Sequence, residues 1–192
     1  MSEQPRRILL TGATGFIGRA FVDRLASAWQ SDTYELFAMV RPGRELDFEA
    51  SSIEHDLRSP LDLSSIPDGI DAIVHIAGAT SHTIWGGFRE HLEINALSTV
   101  DLLEAARIKK IPNVIHVSTI SCLKPSIDEP ERRVNEATPH WSGWIPPYPL
   151  GKKVGEELCI TYRSVIDHVT IVRSGMVYGP SQTETSEMGQ MQ

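Results

Sequence analysis

Apolar residues along this chain come in short runs, separated by longer stretches in which they recur at helical spacing. Arg6 to Thr11 (RRILLT) is a short apolar run that ends in a glycine-rich turn, and FIGRAFVDRLASAW follows with a helical period. That pattern predicts strand, turn and helix. Tyr34 to Val40 (YELFAMV) reads as a second strand, closed by the loop residues Arg41, Pro42 and Gly43. Ile53 to Asp56 is predicted as a short third strand and Pro60 to Ile66 as a helical turn. Asp71 to Ile76 (DAIVHI) is a buried strand. From Phe88 to Ile108, Leu92, Ile94, Leu97, Val100, Leu102, Leu103 and Ala106 fit one long helix, whose C-terminal end Lys109 and Lys110 favour. Asn113 to Val117 (NVIHV) is the next strand. Leu123 to Pro147 is rich in proline and mixed charge and is expected to be an irregular connection, a setting in which function often resides. Pro149 suits a helix's first turn, LGKKVGEELCITYRSV continues it, and Val169 to Val172 is the last strand.

Strands alternating with helices imply βαβ units with right-handed crossovers. The fold expected is α/β, a doubly wound parallel sheet. A chain of 192 residues suits one such domain, placed at residues 1–180, with the polar stretch 181–192 as a candidate disordered tail.

Composition narrows the function. Eighteen basic against twenty-five acidic side chains give a formal charge of −7, which repels a phosphate backbone and argues against nucleic acid as a partner. No apolar run reaches the roughly 18 residues of a membrane span, and the start lacks a signal peptide's apolar segment, so a soluble, cytoplasmic protein is expected. Cys122 and Cys159 lie far apart and in no CxxC spacing, so they read as free thiols, with no disulfide framework or zinc site. The seven histidines form no HExxH or clustered pattern; His75 and His116 interrupt apolar strands and read as structural. No metal is expected.

TGATGFIG sets Gly12, Gly15 and Gly18 at GxxGxxG spacing between the first strand and the first helix. Backbone there must turn sharply and approach a ligand closely, and the helix N-terminus presents amides to a pyrophosphate. A nucleotide-hydrolase loop would need Gly-Lys-Ser/Thr, whereas Arg19 and Ala20 follow Gly18. Dinucleotide sites usually place an acidic residue at the end of the second strand to bind the adenosine ribose. Here Arg41 stands there, and a guanidinium can grip a 2′-phosphate, so NADP is favoured over NAD, with Arg44 and Arg19 as helpers.

Tyr148 and Lys152 form YxxxK, about one helical turn apart. An ammonium about 4 Å from a phenol favours the phenolate by a few kcal/mol at an effective dielectric of about 20, which makes tyrosine a usable acid–base group. Ser118 and Thr119 end the fifth strand at the sheet's carboxyl edge, where ligands of such folds bind. Their hydroxyls could orient a carbonyl oxygen. With no GxSxG present, a serine hydrolase has no nucleophile of the usual kind.

Taken in order, TGATGFIG, VRPGR, HDL, HIAGAT, NALSTVDLLEAA, HVSTIS, YPLGK and VRSGMVYGP resemble the extended short-chain dehydrogenase/reductase family, the NAD(P)-dependent epimerase/dehydratase group, from Arg6 to Pro180. The resemblance implies a Rossmann fold in which Gly12, Gly15, Phe16, Ile17 and Gly18 enclose the pyrophosphate, Asp56 and Leu57 contact the adenine, and Ala77, Gly78 and Ala79 line the cofactor. It makes Tyr148 the general acid or base, Lys152 also a ligand of the nicotinamide ribose, and Thr119 the residue that polarises the substrate oxygen. Asn95 would support, and Ser174 to Val177 would back the nicotinamide. Two departures stand out: Gly78 replaces a usual alanine, and Ser118-Thr119-Ile120-Ser121 leaves open which hydroxyl polarises the substrate. Family members continue beyond the position of Pro180 into a part that builds most of the substrate pocket, which is therefore expected to be largely absent here.

The expected function is an NADP-dependent oxidoreductase that moves hydride between nicotinamide and a carbonyl or alcohol carbon of a small-molecule substrate. The alternatives are an NAD-dependent nucleotide-sugar epimerase or dehydratase and, from another class, a redox-inactive nucleotide-binding regulator; a homodimer is one compatible assembly.

Overall fold

The computed structural model describes residues 4–28, 33–80, 87–124 and 134–180. The expected tail at 181–192 lies outside the described residues. Six strands form one wholly parallel sheet: β1 (Arg6–Thr11), β2 (Tyr34–Val40), β3 (Ser51–Glu54), β4 (Ala72–His75), β5 (Asn113–Thr119) and β6 (His168–Ser174). Their spatial order is β3-β2-β1-β4-β5-β6. The order reverses between β1 and β4, and a doubly wound sheet opens a crevice at that point, outside the carboxyl ends of its strands.

Alternation along the central strands builds two cores. Ile8, Leu10, Leu36, Ala38 and Val40 face helix α1 (Phe16–Ala28) through Val22 and Leu25. Leu9, Phe37, Met39 and Ile73 pack on the opposite face with Leu102, Leu103 and Cys159. Leu9, Leu10 and Ile73 have no exposed surface, and burial of each such side chain is worth about 1.5–3 kcal/mol. The second face is covered by α3 (Ser98–Lys109) and α4 (Pro147–Tyr162), and α2 (Phe88–Leu92) packs against α4. Among the described residues no helix is long and apolar enough to cross a membrane.

Local chemistry sets the boundaries and moves some of them from the sequence pattern. β3 begins two residues earlier than predicted because it pairs Phe37 with Ser51 through Val40 with Glu54, where only Ile53 is buried. The turn at 60–66 is a single 3-10 turn, Leu63–Ser65, capped by the Asp62 side chain. The single helix expected at 88–108 contains a π turn, Glu93–Leu97, between α2 and α3, and ends on Lys110 in the left-handed conformation. β5 runs on to Thr119, and α4 starts at Pro147, so Tyr148 falls in its first turn. Within the proline-rich connection, Leu123 and His140 form an antiparallel bridge, with Lys124 N–H bound to the Pro139 carbonyl and Trp141 N–H to that of Cys122.

α4 lies close against the π turn because Gly151 and Gly155 stand where the two helices meet. A Cβ on Gly151 would lie 2.7 Å from the His91 carbonyl oxygen, and one on Gly155 3.0 Å from that of Asn95. Alanine at Gly151 would gain about 1 kcal/mol of helix propensity, but overpacking of this kind costs about 1–3 kcal/mol. The clash is with backbone, so it should win. Gly151→Ala is expected to lower the melting temperature, by about 2–4 °C for each kcal/mol lost; an equal or higher melting temperature in calorimetry would refute this close seating.

Candidate active site

After Thr11 the chain must turn at once to enter α1. Gly12 does so at φ +76°, where a Cβ would lie 2.7 Å from the Ala77 nitrogen. Gly18 faces the Gly12 carbonyl so closely that a Cβ would sit 1.9 Å from its oxygen. Gly15 differs: its N–H binds the Gly12 carbonyl at 3.0 Å, and an added Cβ would meet only that oxygen, at 3.3 Å. Gly12 and Gly18 therefore serve packing. Gly15 keeps clear the space at the first turn of α1, where the unshared N–H groups of a helix end favour an anion.

This turn forms one wall of a cleft of about 680 Å³ at the carboxyl edge of the sheet. Gly12, Gly15, Phe16, Ile17 and Gly18 line it from β1 and α1, Arg41 from β2, Asp56 and Leu57 from the loop after β3, and Ala77, Gly78 and Ala79 from that after β4. Thr119, Tyr148 and Lys152 line it from β5 and α4, and Ser174, Gly175 and Val177 from β6. The glycine turn, Arg41, Asp56, Leu57, the Ala77–Ala79 segment, Thr119, Tyr148 and Lys152 thus border the same space.

At the β2 end, Arg41 and Arg44 belong to one turn, closed by the Arg44 N–H on the Arg41 carbonyl at 3.0 Å with Gly43 at φ +73°. Both line the cleft. Arg19 does not: its guanidinium is paired with Asp47 and Asp23 and lies 5.1 Å from the Phe48 ring centroid. Its expected helper role is therefore corrected. Asp56 is gripped by Arg58, whose hydrogen bonds hold the carboxyl down at about 2, so it remains an anion at any working pH. Arg58 also lines the cleft, a contribution its sequence position did not reveal.

On the acid–base side, Lys152 is buried and its Nζ donates to the Val117 carbonyl at 2.9 Å. Tyr148, half-buried, has its ring centroid 6.4 Å from that of His91. The three hydroxyls at the end of β5 separate by environment. Ser118 gives its hydroxyl to Glu156, and Ser121 is exposed and outside the cleft lining. Thr119 lines the cleft; its Oγ1 accepts the Ser121 N–H at 3.2 Å, which caps the 3-10 turn Ile120–Cys122, and its hydroxyl donates to Ser121 Oγ at 3.2 Å.

A chain of buried hydrogen bonds ties the two sides together. Ala77 N–H donates to Thr11 Oγ1 at 3.2 Å, Thr11 Oγ1 lies 2.7 Å from His75 Nδ1, and His75 Nε2 lies 3.2 Å from Thr99 Oγ1. Thr99 donates to the Asn95 carbonyl at 3.0 Å. Since that hydroxyl spends its proton on Asn95, it accepts from Nε2–H, and Nδ1 accepts from Thr11. Burial, with the Lys152 charge adding to it, pushes His75 down to about 3, so the ring is neutral. Asn95 itself pairs both ways with Ala79: Ala79 N–H to Oδ1 at 2.8 Å and Nδ2 to the Ala79 carbonyl at 2.9 Å. Gly78 is now explained, because a Cβ there would fall 2.9 Å from Asn95 Oδ1 and 3.0 Å from Lys152 Nζ.

The sequence reading passed over Glu156, which follows Lys152 by one turn and is fully buried, and Arg173, its ion-pair partner on β6. Helical spacing from Tyr148 and Lys152 was the available signal. The two thiols are free and buried; burial, with Glu156 nearby, pushes Cys122 up to about 11 and Cys159 up to about 12, which leaves both unreactive at neutral pH.

The chain resembles a number of known proteins across most of its length. A 2-alkyl-3-oxoalkanoate reductase of Shewanella oneidensis is 26% identical over 185 residues, covering 90% of this chain and 45% of the relative. A ceramide reductase of Caulobacter vibrioides is also 26% identical, over 96% of this chain and 50% of its own. The chain thus spans about half the length of these curated relatives. Among solved structures, UDP-glucuronic acid 4-epimerase from Bacillus cereus in complex with NAD superposes with a TM-score of 0.74 at 29% identity, covering 93% of this chain and 59% of that one. A dTDP-glucose 4,6-dehydratase double mutant from Streptomyces venezuelae, with NAD bound, gives 0.77 at 26% identity. The model of the NAD dependent epimerase/dehydratase family matches residues 8–191, and the chain belongs to that family.

Proposed function

We propose that this chain carries the cofactor half and the acid–base groups of an NADP(H)-dependent oxidoreductase acting on a carbonyl or alcohol substrate. The observation that carries the reading is the convergence of Thr119, Tyr148 and Lys152 on the cleft that Gly15 keeps open and Arg41 borders.

The residues fit a dinucleotide. Gly15 leaves room for a pyrophosphate against the first turn of α1, Phe16, Ile17 and the flanking glycines enclose it, and Asp56 with Leu57 borders the adenine end. Arg41 and Arg44 offer two cations where an NAD site would place a carboxylate, so a 2′-phosphate gains attraction and an unmodified ribose gains none. Ala77, Gly78 and Ala79 wall the nicotinamide end. When bound, the cofactor supplies or accepts the hydride. Tyr148 then hands its phenolic proton to the substrate oxygen as carbonyl becomes alcohol, or takes it back in the reverse direction. Lys152, one turn away, stabilises the phenolate that remains. Thr119 is our choice to hold the substrate oxygen: its hydroxyl borders the cleft and donates at 3.2 Å to the exposed Ser121, a partner it can exchange for substrate more easily than Ser118 can leave the buried Glu156.

The reductases among the curated relatives agree with this direction of chemistry, while the NAD named in the solved neighbours favours the second reading, an NAD-dependent epimerase or dehydratase. Cofactor preference separates the two. Arg41→Ala should weaken NADPH by about 1.5–3 kcal/mol, the range for hydrogen bonds to a charged group, and leave NADH nearly unchanged. Equal losses for both cofactors in titration calorimetry would remove the NADP reading.

Gly15→Val should abolish binding of either nucleotide in a domain that still folds, because the added bulk fills the pyrophosphate's approach. Wild-type affinity in the folded variant would refute the site. The acid assignment rests on Tyr148→Phe, which should eliminate any NADPH oxidation the chain shows across a panel of ketones and keto-sugars; undiminished turnover would show that another group delivers the proton.

A further inference from the structure

Behind the acid–base groups, on the side away from the glycine turn, lies a carboxylate that the chemistry proposed above does not use. Glu156 has no exposed side-chain surface. Its position one turn beyond Lys152 and two beyond Tyr148 places the three on one face of α4. Burial alone would raise its pKa; hydrogen bonds from Arg173, Ser118, His140 and Cys122 outweigh that, and the group is held below the usual glutamate value.

Both carboxylate oxygens are engaged. Arg173 donates Nη2 to Oε2 at 2.7 Å and shares Nε between Oε2 at 2.9 Å and Oε1 at 3.1 Å, and His140 Nε2 lies 2.8 Å from Oε2. Oε1 also takes the end of β5. It accepts the Ser118 hydroxyl, and Cys122 Sγ lies 3.3 Å from it and 2.7 Å from the Thr119 carbonyl, the nearer of the two acceptors for its one proton. Glu156 thus holds the residue before Thr119 through the Ser118 hydroxyl, while Cys122, whose single proton serves one acceptor at a time, sits between Oε1 and the Thr119 carbonyl. β6 joins the arrangement, since Ser174, next to Arg173, donates to the Ser118 carbonyl at 3.0 Å. Cys122, His140 and Glu156 bring sulfur, nitrogen and oxygen within 4.8 Å of one another, but the guanidinium already occupies the cation's place on Oε2.

We propose that Glu156 is a positioning residue: from the helix that carries Tyr148 and Lys152, its carboxylate sets the place of Thr119 across the cleft. A buried ion pair is weak evidence of stabilisation, because desolvation offsets much of the attraction. Geometry is the better account, as one rigid helix supplies both the acid–base pair and the anchor of the hydroxyl that must face it. The catalytic meaning of that distance rests on the role given to Thr119 above; the mechanical claim does not.

The test uses the 192-residue chain and two variants, with crystal structures and NADPH-linked kinetics on the same ketone panel. Glu156→Gln keeps the side-chain shape but leaves Arg173 without its anion and can fail to fold. Ser118→Ala keeps the ion pair intact and decides the matter in that event. In whichever variants fold, Thr119 should move relative to Tyr148 by about 1 Å, and kcat should fall roughly 10- to 100-fold. NADPH affinity and KM should stay within about twofold, because the glycine turn and Arg41 are untouched. Thr119→Ala added to Glu156→Gln should cost little more, since residues acting as one unit are not additive. Thr119 unmoved in the folded variants would overturn the proposal, as would a fall in NADPH affinity equal to that in kcat. If Thr119→Ala alone turns over normally, its catalytic role is lost, and the displacement in the crystals still judges Glu156.

Discussion

The contact on which the rest of the molecule depends is the approach of the Gly12 carbonyl to Gly18. β1 is the central strand, buried on both faces and paired with β2 on one side and β4 on the other. Leaving it, the chain has four residues in which to reverse into α1, and a methyl group at Gly18 would stand 1.9 Å from the oxygen it has to pass. If strand and helix could not come this close, α1 would lift from Val22 and Leu25, and the apolar face beneath it would open. The same turn forms one wall of the cleft. Packing and ligand access are therefore one constraint, divided among three glycines with separate tasks.

A second constraint follows from where the polar groups lie. His75, Thr11, Thr99 and Asn95 form a neutral, donor-to-acceptor chain in which every proton has one destination. Such chains cost little once closed, because a buried polar group is expensive only when it lacks a partner. This one runs from the strand before the glycine turn to the π turn that grips Ala79. π turns are uncommon and tend to occur at functional sites; here the extra residue in the turn accompanies a buried Asn95 side chain that reaches the Ala79 backbone while Gly151 and Gly155 let α4 close on it.

The glycine spacing, the arginine at the end of β2 and the YxxxK pair could be read from the sequence because each depends on neighbours close along the chain. The parallel, doubly wound sheet could be read for the same reason: period-two and helical patterns are local. What could not be read depends on partners far apart. β3 drifted by two residues because one buried side chain, Ile53, cannot fix a register that only β2 specifies. The helper role expected of Arg19 failed because Asp47, 28 residues away, takes its guanidinium. Glu156 looked like one more polar residue of an amphipathic helix; its partners Ser118 and Arg173 lie on two strands separated from it by 38 and 17 positions. The choice among Ser118, Thr119 and Ser121 was open in the sequence for the same reason, since the partner of each hydroxyl is set by the fold.

Charge closes the argument. A formal charge of −7 works against any anionic dinucleotide at long range, yet at physiological ionic strength charges more than about 8 Å apart are largely screened. What a phosphate meets inside the cleft is set by the groups that line it. Arg41, Arg44 and Arg58 line it, and the carboxylate of Asp56 there is already matched by Arg58. The arginines on the β2 turn stand against an acidic surface, and a low-dielectric wall concentrates their field into the opening between them. An acidic protein can thus hold a polyanion by arranging a few cations along one strand end, and this requires the strand ends of a parallel sheet to point the same way.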